Sequence, residues 1–395
     1  MLINESKLKR QNEIIDTWIS KFKANGYITA VTGFGKSYLC ILAIKRFNPE
    51  KVVHIVVPTI VLQSQWNQLL IDNNVLNAKV FVINSYVATP QKCDLLIIDE
   101  VHRATNEAAF YFSSLLNNTV CDYRFLVTAT LDKQKIAFLH AKGIYCCGEV
   151  TLEEALTKGW VSSFQVYNLE LEFTPEEQEK YDKATNLIKA HSPYLEGLNP
   201  FTALKDKQYL KNFCEENDFN YKDIQMRIVR HNGATTTRKS IVYGAKAKVD
   251  IIPLILDHLG KEKKALIFSQ TKKYADAVQK ILPSSKVYHS GIKNEHEKAA
   301  ILQDYVNNDV QHLVSVKSLN EGLDVENVDV GIAAAYTSTG IDALQSLGRT
   351  IRFVKGKEAI FINLFIKNTV EIGWLKKRQQ KIFNVKWIKT IEEIK

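Results

Sequence analysis

The stretch AVTGFGKS at residues 30–37 joins the end of an apolar run at 27–32 to the start of an amphipathic stretch at 36–47. The run predicts a strand and the stretch predicts a helix, which is the setting that a phosphate-binding loop requires. Glycines let backbone N–H groups curl around phosphate oxygens, and the start of the helix adds positive partial charge. The general pattern GxxxxGK[ST] has Gly where this chain has Ala30. A chance Gly-Lys-Ser in a surface loop is the alternative, which the strand-loop-helix setting disfavours.

This loop predicts the residues that would bind a nucleoside triphosphate. Lys36 would reach the β- and γ-phosphates, and Ser37 would ligate Mg²⁺. The backbone before them would complete the cradle through Thr32, Gly33, Phe34 and Gly35.

The stretch LLIIDEVH at residues 95–102 predicts the second half of an ATP site. Four apolar residues predict a buried strand, and two carboxylates follow at its C-terminal end, where parallel sheets bind ligands. Asp99 would hold Mg²⁺, and Glu100 would orient and deprotonate the attacking water. Two acids that merely cap a strand are the alternative, but the loop and the acidic pair support each other.

Short apolar runs alternate with amphipathic stretches over residues 1–150 and again over residues 246–395. The runs predict strands at 27–32, 52–57, 80–83, 95–98, 125–128, 265–269, 286–289, 312–316, 330–333 and 359–364. The amphipathic stretches predict helices at 36–47, 59–73, 107–116, 246–259, 272–281, 295–307 and 341–347. This alternation indicates an α/β fold with two parallel sheets, each covered by helices on both faces. The segment between them is mainly helical, with a helix predicted at 175–190 behind the N-cap Thr174.

Composition limits the class of protein. The 395 residues are 46% hydrophobic and 24% charged, which is typical of a globular protein of two or three domains. The apolar runs are too short to cross a bilayer, and the charged first ten residues exclude a secretory signal. None of the six cysteines forms a CxxC pair, which favours free thiols in a reducing, cytoplasmic compartment. The net charge of +9 divides into +4 over 1–150, −2 over 151–245 and +7 over 246–395, which suits a polyanionic partner.

The phosphate loop and the Asp-Glu-Val-His stretch resemble superfamily 2 helicases and translocases, and further motifs follow in family order over residues 8–352. The resemblance implies two RecA-like parallel-sheet lobes of the P-loop NTPase fold, with ATP and Mg²⁺ as cofactors. It divides the chain into a first lobe (1–150), a connector and helical insertion (151–245), a second lobe (246–368) and a basic aromatic tail (369–395).

The same resemblance implies further site residues. Gln11 would meet the adenine edge, and the turn at Thr128, Ala129 and Thr130 would link hydrolysis to lobe movement. The stretch LNEGLD at 319–324 resembles the loop that senses the nucleotide, through Gly322 and Asp324. The stretch QSLGRTIR at 345–352 resembles the last family motif, whose catalytic residues correspond to Gln345, Arg349 and Arg352. The two arginines would stabilise charge at the γ-phosphate from the second lobe.

Nucleic-acid contacts are expected on the phosphate backbone, which positions a protein without reading sequence. The family motifs place them at Pro58, Thr59, Ser85, Ser269, Gln270, Ser318 and Asn320. The motif spellings are closest to the XPB, UvsW and restriction-motor group, which favours DNA over RNA. The sequence therefore predicts a monomeric ATP-dependent DNA helicase or translocase that remodels duplex or branched DNA in replication, recombination or repair. An RNA helicase, or a nucleotide-gated clamp without strand separation, are the alternatives.

Two segments stay open at this level. The segment 183–232 is helical and could separate strands, dock a protein partner or be a plain structural insertion. The tail could lie along nucleic acid, or its aromatic residues Trp374, Phe383 and Trp387 could pack against the second lobe, which we favour.

Overall fold

The computed structural model describes residues 4–46, 50–89, 92–105, 110–129, 131–289, 291–316, 328–335, 358–379 and 384–395. Among these residues the first sheet has six parallel strands: β1 (Asn25–Ala30), β2 (Val53–Val57), β3 (Ala78–Val82), β4 (Lys92–Asp99), β5 (Val120–Thr128) and β6 (Tyr145–Val150). They lie in the order β3-β2-β4-β5-β1-β6. Strands are present at all five predicted places, but β1 ends at Ala30, before the predicted end at residue 32, and Ile83 begins a helix instead of ending β3. The sixth strand, β6, is not among the predicted ones.

Helices cover this sheet. They are α1 (Glu5–Ser20), α2 (Lys36–Arg46), α3 (Ile60–Asp72), α4 (Ile83–Ala88), α5 (Phe110–Asn118), α6 (Lys133–His140) and α7 (Leu152–Thr157). The first of them buries Gln11, Ile14, Ile15 and Trp18, which recur at helical spacing on one face. All the pairings between its strands are parallel. Apolar side chains from both faces of the sheet are buried. The prediction of a parallel sheet covered on both faces is therefore confirmed for this lobe.

The second sheet has seven parallel strands within the described ranges: β7 (Ser163–Leu171), β8 (Ala265–Ser269), β9 (Ser285–His289), β10 (His312–Val316), β11 (Val330–Ala333), β12 (Glu358–Ile366) and β13 (Val385–Ile388). Their order is β13-β7-β12-β11-β8-β10-β9. The five strands predicted after residue 246 are all present. The proposed boundaries put β7 in the connector and β13 in the tail, yet both strands join this sheet; the division into domains stays a prediction.

The polar residues of β7 explain why its sequence does not read as a buried strand. Asn168 is buried, and its side-chain oxygen accepts hydrogen bonds from Asn363 at 3.0 Å and from Gln379 at 2.8 Å. Its amide donates back to Gln379 at 2.9 Å. Burial of an amide side chain costs little stability when all its hydrogen bonds are made. The sequence pattern does not reveal the residues that make these hydrogen bonds.

Three of the four helices predicted for the second lobe are present, and the sequence does not predict a further helix at Val370–Arg378. The helices described in this lobe are α12 (Lys246–Leu259), α13 (Lys272–Ile281), α14 (Glu295–Val306) and α15 (Val370–Arg378), numbered after the four helices of the insertion described next. Lys248 of α12 is fully buried, and its Nζ lies 2.6 Å from Oε1 of Glu371 on α15. The helix predicted at 341–347 lies outside the described residues.

The insertion is a helical bundle with a small core of its own. Its helices are α8 (Pro175–His191), α9 (Pro200–Ala203), α10 (Lys207–Glu216) and α11 (Tyr221–Tyr243). A capping box at Thr174 and Glu177 starts α8, which confirms the predicted N-cap. The core consists of Leu195, Leu198, Ala203, Leu210, Phe213, Cys214, Ile224 and Ile228.

The tail packs against the second lobe. Trp374 of α15 lies against Tyr243 of α11, a helix of the insertion, with ring centroids 6.1 Å apart. Trp387 of β13 contacts Phe365 of β12, with ring centroids 5.2 Å apart, but stays 46% exposed. Ile388 and Ile394, which the sequence does not single out, are buried in the core beside the second sheet. Phe383 lies outside the described residues.

In the described part of the chain, we find no helix with the length and apolar character to cross a membrane.

Candidate nucleotide-binding site

Three neighbouring strands of the first sheet bring the predicted ATP residues together. β4, β5 and β1 are adjacent and parallel, so their carboxyl ends lie at one edge of the sheet. β1 ends at Ala30, β4 at Asp99 and β5 at Thr128. The phosphate loop, the acidic pair and the first residue of the coupling turn therefore face a common space, as the order of motifs predicts.

The loop after β1 has the backbone of a phosphate cradle. Gly33 and Gly35 have φ angles of +92° and +84°, which only glycine adopts at low cost. Lys36 is the first residue of α2, so the start of that helix points at the loop. The ammonium of Lys36 donates to the carbonyl of Ala30 at 3.3 Å and is thereby held across the loop.

The first helix holds the loop from behind. The ammonium of Lys7 donates to the carbonyl of Gly33 at 2.8 Å, and the amide of Gln11 donates to the carbonyl of Phe34 at 3.1 Å. Gln11 is buried, so this amide is committed to the loop. Its predicted contact with adenine stays a prediction. The sequence does not predict the role of Lys7. Lys9 and Arg10 lie beside it and carry the same charge, so nothing in the sequence shows which of the three reaches the loop.

Asp99 is a buried carboxylate with two protein donors. Its Oδ2 accepts from the indole Nε1 of Trp66 on α3 at 3.0 Å, and its Oδ1 accepts from the backbone N–H of Glu100 at 3.0 Å. Burial, together with the neighbouring Glu100 carboxylate, raises the pKa of Asp99 to about 6, against the opposing effects of Lys36 and Trp66. Asp99 therefore gives up its proton less readily than an ordinary aspartate until a cation compensates its charge.

Glu100 has the opposite electrostatics. Its backbone is left-handed at φ +56°, a strained conformation that is common at functional sites. The hydroxyl of Thr128 lies 3.3 Å from Oε2 of Glu100, and Nδ1 of His102 lies 3.2 Å from the same oxygen. Burial favours the neutral form, but the His102 hydrogen bond and the Lys36 charge outweigh it and lower the pKa of Glu100. Glu100 is thus held ionised and oriented.

These residues fit Mg²⁺ and a nucleoside triphosphate. Mg²⁺ prefers oxygen ligands and is usually held by one or two carboxylates together with substrate phosphates. Asp99 is such a carboxylate, with a raised pKa that a cation would lower, and Ser37 lies in the first turn of α2. Lys36 supplies the positive charge beside them.

The predicted nucleic-acid residues have varied surroundings. Thr59 caps α3 at the end of β2, and its Oγ1 accepts from the N–H of Leu62 at 3.3 Å. Ser85 is exposed on α4, where its hydroxyl donates to the carbonyl of Val82 at 2.9 Å. Ser269 is buried and bonded to Thr271 of its own turn. These contacts, and those of Pro58 and Gln270, stay predictions.

Eight predicted site residues lie outside the described residues. They are Thr130, Ser318, Asn320, Gly322, Asp324, Gln345, Arg349 and Arg352. The roles that the family resemblance implies for them stay predictions.

Two family models match the chain. The model of the type III restriction enzyme res subunit matches residues 6–81, and the helicase conserved C-terminal domain matches residues 247–354. The first match includes the phosphate loop, and the second includes most of the second lobe. A different family model therefore matches part of each lobe.

Curated relatives share a short part of the chain. UvrABC system protein B of Synechococcus elongatus is 31% identical over 121 residues, which are 28% of this chain and 18% of that protein. The protein of the same name from Chlorobium phaeobacteroides is 29% identical over 132 residues, which are 31% of this chain and 19% of that one. The chain thus spans less than a fifth of the curated relatives it matches.

Solved structures share the whole architecture. The Type ISP restriction-modification enzyme LlaBIII bound to DNA gives a TM-score of 0.61 at 15% identity, over 96% of this chain and 31% of that one. S. cerevisiae Dbp5 bound to RNA and ADP BeF3 gives 0.59 at 14% identity, over 96% and 89%. The Hef helicase domain of Pyrococcus furiosus gives 0.55 at 14% identity, over 95% and 99%. At these identities the likeness concerns the fold, which is that of two RecA-like lobes.

Proposed function

We propose that this protein is an ATP-dependent DNA helicase or translocase. The proposal is supported by the match to the helicase conserved C-terminal domain, the match to the type III restriction enzyme res subunit and the two-lobe RecA-like fold, which together support a superfamily 2 helicase of restriction-motor-like type. It couples ATP hydrolysis to movement on duplex or branched DNA and to remodelling or unwinding of that DNA. The observation that carries this proposal is the meeting of the phosphate loop, Asp99 and Glu100 at one edge of the first sheet.

Each site residue has a role in this proposal. Lys36 binds the β- and γ-phosphates, while the backbone of 32–35 surrounds them. Asp99 and Ser37 hold Mg²⁺, which neutralises charge on the phosphates. Glu100, kept ionised by its neighbours, orients the attacking water and accepts its proton. The turn that begins at Thr128 senses this carboxylate through the 3.3 Å contact and reports hydrolysis to the rest of the lobe.

The second lobe completes the cycle. Arg349 and Arg352 stabilise transition-state charge, and Gln345, Gly322 and Asp324 sense the nucleotide. ATP would then draw the lobes together and hydrolysis would release them, because a ligand shared by two bodies biases a hinge.

Nucleic acid would cross both lobes. The surplus of positive charge on residues 1–150 and 246–395 supports a polyanion there, and the expected backbone contacts make binding salt-sensitive and largely independent of sequence. DNA is favoured because one family model describes a restriction enzyme and one structural neighbour is a restriction enzyme bound to DNA.

ATPase rates with duplex DNA, branched DNA, single-stranded DNA and RNA test the proposal. Stimulation by duplex or branched DNA, together with strand displacement or translocation, is expected. Stimulation by RNA alone would mean an RNA helicase, and nucleotide-dependent binding without movement would mean a clamp. No stimulation by any nucleic acid contradicts the motor. Lys36→Ala should lose ATP binding, whereas Glu100→Gln should bind ATP without turning it over.

The helical insertion is the proposed site for a protein partner. Exposed apolar side chains lie on it at Phe201, Leu204, Met226 and Val229. The proposal also includes a monomeric chain in the cytoplasm. Sedimentation of the purified protein, alone and with DNA, tests the monomer directly.

A further inference from the structure

The linker that leaves the first lobe packs directly on the phosphate loop. The ring of Trp160 lies 5.3 Å from the ring of Phe34, measured between centroids. A Cβ on Gly33 would lie 3.0 Å from Cγ1 of Val161, so the loop backbone and this side chain are in tight contact. Phe34, Trp160 and Val161 are 0%, 3% and 2% exposed, which makes this a close-packed contact without solvent between the two segments.

The first turn of α1 locks the linker and the loop together. Nε1 of Trp160 donates to the hydroxyl of Ser6 at 2.8 Å, and the amide of Asn4 donates to the carbonyl of Gly159 at 3.2 Å. Lys7, in the same turn, donates to the carbonyl of Gly33. Residues 4–7, 33–34 and 159–161 thus form one unit, here called the loop junction.

The loop junction continues without a break into the second lobe. β7 begins two residues after Val161 and pairs with β12 along all nine of its residues, from Ser163 to Leu171. On its other side β7 pairs with β13. Val161 is separated from β7 by Ser162 alone, so a displacement of Val161 acts within two residues on a strand inside the second sheet.

We propose that Trp160 and Val161 are positioning residues that couple nucleotide occupancy of the phosphate loop to the second lobe. The proposal rests on the proposed function, because it requires the loop to bind ATP. Phosphates that enter the cradle fix the backbone of Gly33 and Phe34, and a close-packed interior transmits that constraint to its neighbours. Phe34 bears on Trp160, Gly33 bears on Val161, and β7 carries the change into the second sheet. Both residues act through the loop.

The test measures the coupling between nucleotide and DNA. The Kd for a duplex DNA is determined by fluorescence anisotropy without nucleotide and with Mg²⁺ and a saturating non-hydrolysable ATP analogue, and the ratio of the two values is the coupling factor. Binding of a fluorescent ADP analogue is measured separately, so that every variant is compared with nucleotide bound. The variants are Trp160→Ala, Trp160→Phe and Val161→Ala, with Trp387→Ala on β13 as the matched control.

Trp160→Ala should bring the coupling factor at least about fivefold closer to 1, while Trp160→Phe and Trp387→Ala retain most of it. If Trp160→Ala does not unfold cooperatively, its coupling factor is not used. Val161→Ala, which removes only two methyl groups, is then compared with the parent protein in its place. A parental coupling factor in the variants with nucleotide bound overturns the proposal, and so does a parent protein that binds both ligands without coupling. A parent protein that binds no nucleotide contradicts the proposed function itself, and the coupling with it.

Discussion

The indole Nε1 of Trp66 donates a 3.0 Å hydrogen bond to Oδ2 of Asp99, and this bond ties the third helix to the end of the fourth strand. Both side chains are buried. Trp66 lies on the helix that Thr59 caps, so the carboxylate proposed to hold Mg²⁺ is bonded to the same helix as the turn that is expected to contact nucleic acid. The arrangement gives α3 a direct link between two functions of the first lobe.

Trp66→Phe should weaken the use of Mg²⁺. The change keeps an aromatic ring but removes the donor that lowers the pKa of Asp99, so this pKa should rise further above about 6. Protons then compete with the cation, and the Mg²⁺ concentration for half-maximal ATPase should rise several-fold at pH 7 and more at pH 6. Magnesium titrations at pH 6, 7 and 8 measure this, with Trp387→Phe as the control. Equal titrations for Trp66→Phe and the parent protein would refute the role of the indole.

Thr128→Val should slow hydrolysis without loss of nucleotide affinity. The hydroxyl that orients Glu100 is removed while the volume of the side chain is kept. We expect kcat to fall on the order of 10–100-fold, because a misplaced catalytic group can cost about 100-fold. Thr128→Ser restores the hydroxyl and should recover most of the rate. Steady-state ATPase and nucleotide titrations separate the two quantities, and an equal loss in both variants would argue against the hydroxyl.

Gly33→Ala should abolish most nucleotide binding for a steric reason. Its methyl group would be placed 3.0 Å from Val161, in addition to the cost of a left-handed residue. Gly143→Ala is the matched control, because Gly143 has a φ of +69° with no heavy atom within 4 Å of a Cβ. Gly143→Ala should lose about 1 kcal/mol of stability for its left-handed backbone alone, and Gly33→Ala should lose more, because its methyl group also presses on Val161. Only Gly33→Ala should lose affinity for a fluorescent ADP analogue, by about tenfold or more.

Lys248→Met should destabilise the second lobe strongly. It removes the ammonium bonded to the buried Glu371 and leaves Arg378 as the other positive charge that acts on this carboxylate. Breaking a buried pair in this way costs about 3–5 kcal/mol. Adding Glu371→Gln should recover most of the loss. Lys246→Met removes an exposed lysine from the same helix, paired with Asp250, and should have little effect. Urea unfolding measures the free energy of unfolding, and equal effects of the two lysines would contradict the burial argument.

Asp99→Asn should stabilise the metal-free protein. The pKa of Asp99 rises from 3.8 in the unfolded chain to about 6 in the folded protein, so stability falls as pH rises between these values and the cost persists above them. The variant removes this cost, but its amide nitrogen cannot accept one of the two hydrogen bonds that Trp66 and the N–H of Glu100 donate, so it should be about 1–2 kcal/mol more stable at pH 7, with the gain lost below pH 4. Excess Mg²⁺ and an ATP analogue should reverse the order, because the parent protein keeps the carboxylate proposed to hold Mg²⁺ and therefore gains more from this ligand pair. Thermal unfolding across pH tests both parts.

The sequence predicts the strands of the two lobes best where apolar β-branched runs are buried on both faces. β8, β10 and β11 have the predicted bounds. A short apolar run such as that of β8, Ala265–Ser269, is stable in a parallel sheet only as a strand buried on both faces. β7 and β13 escape prediction for different reasons. β7 carries Asn168, whose partners are 195 and 211 residues away in the chain. β13 has four residues, of which Lys386 and Trp387 are exposed at the edge of the sheet, so it has little apolar signal.

The site divides in the same way. The loop, Asp99 and Glu100 are readable because local spacing and strand ends position them. The bond from Trp66 to Asp99 spans 33 residues, and the packing of Trp160 on Phe34 spans 126; such contacts depend on how helices and linkers dock, which spacing alone does not encode.

The placement of β7 between β12 and β13 sets an order for folding during synthesis. The first sheet draws its strands from residues 25–150 and can close as soon as they have left the ribosome. β7 follows at once, but its hydrogen-bonding neighbours are made about 190 residues later. Until then it is a strand with both edges unpaired, held beside a finished lobe. Contacts so distant in sequence fold slowly, and unpaired edges invite association with other chains. Slow translation of residues 172–357 would therefore lengthen the period in which the nascent chain needs a chaperone.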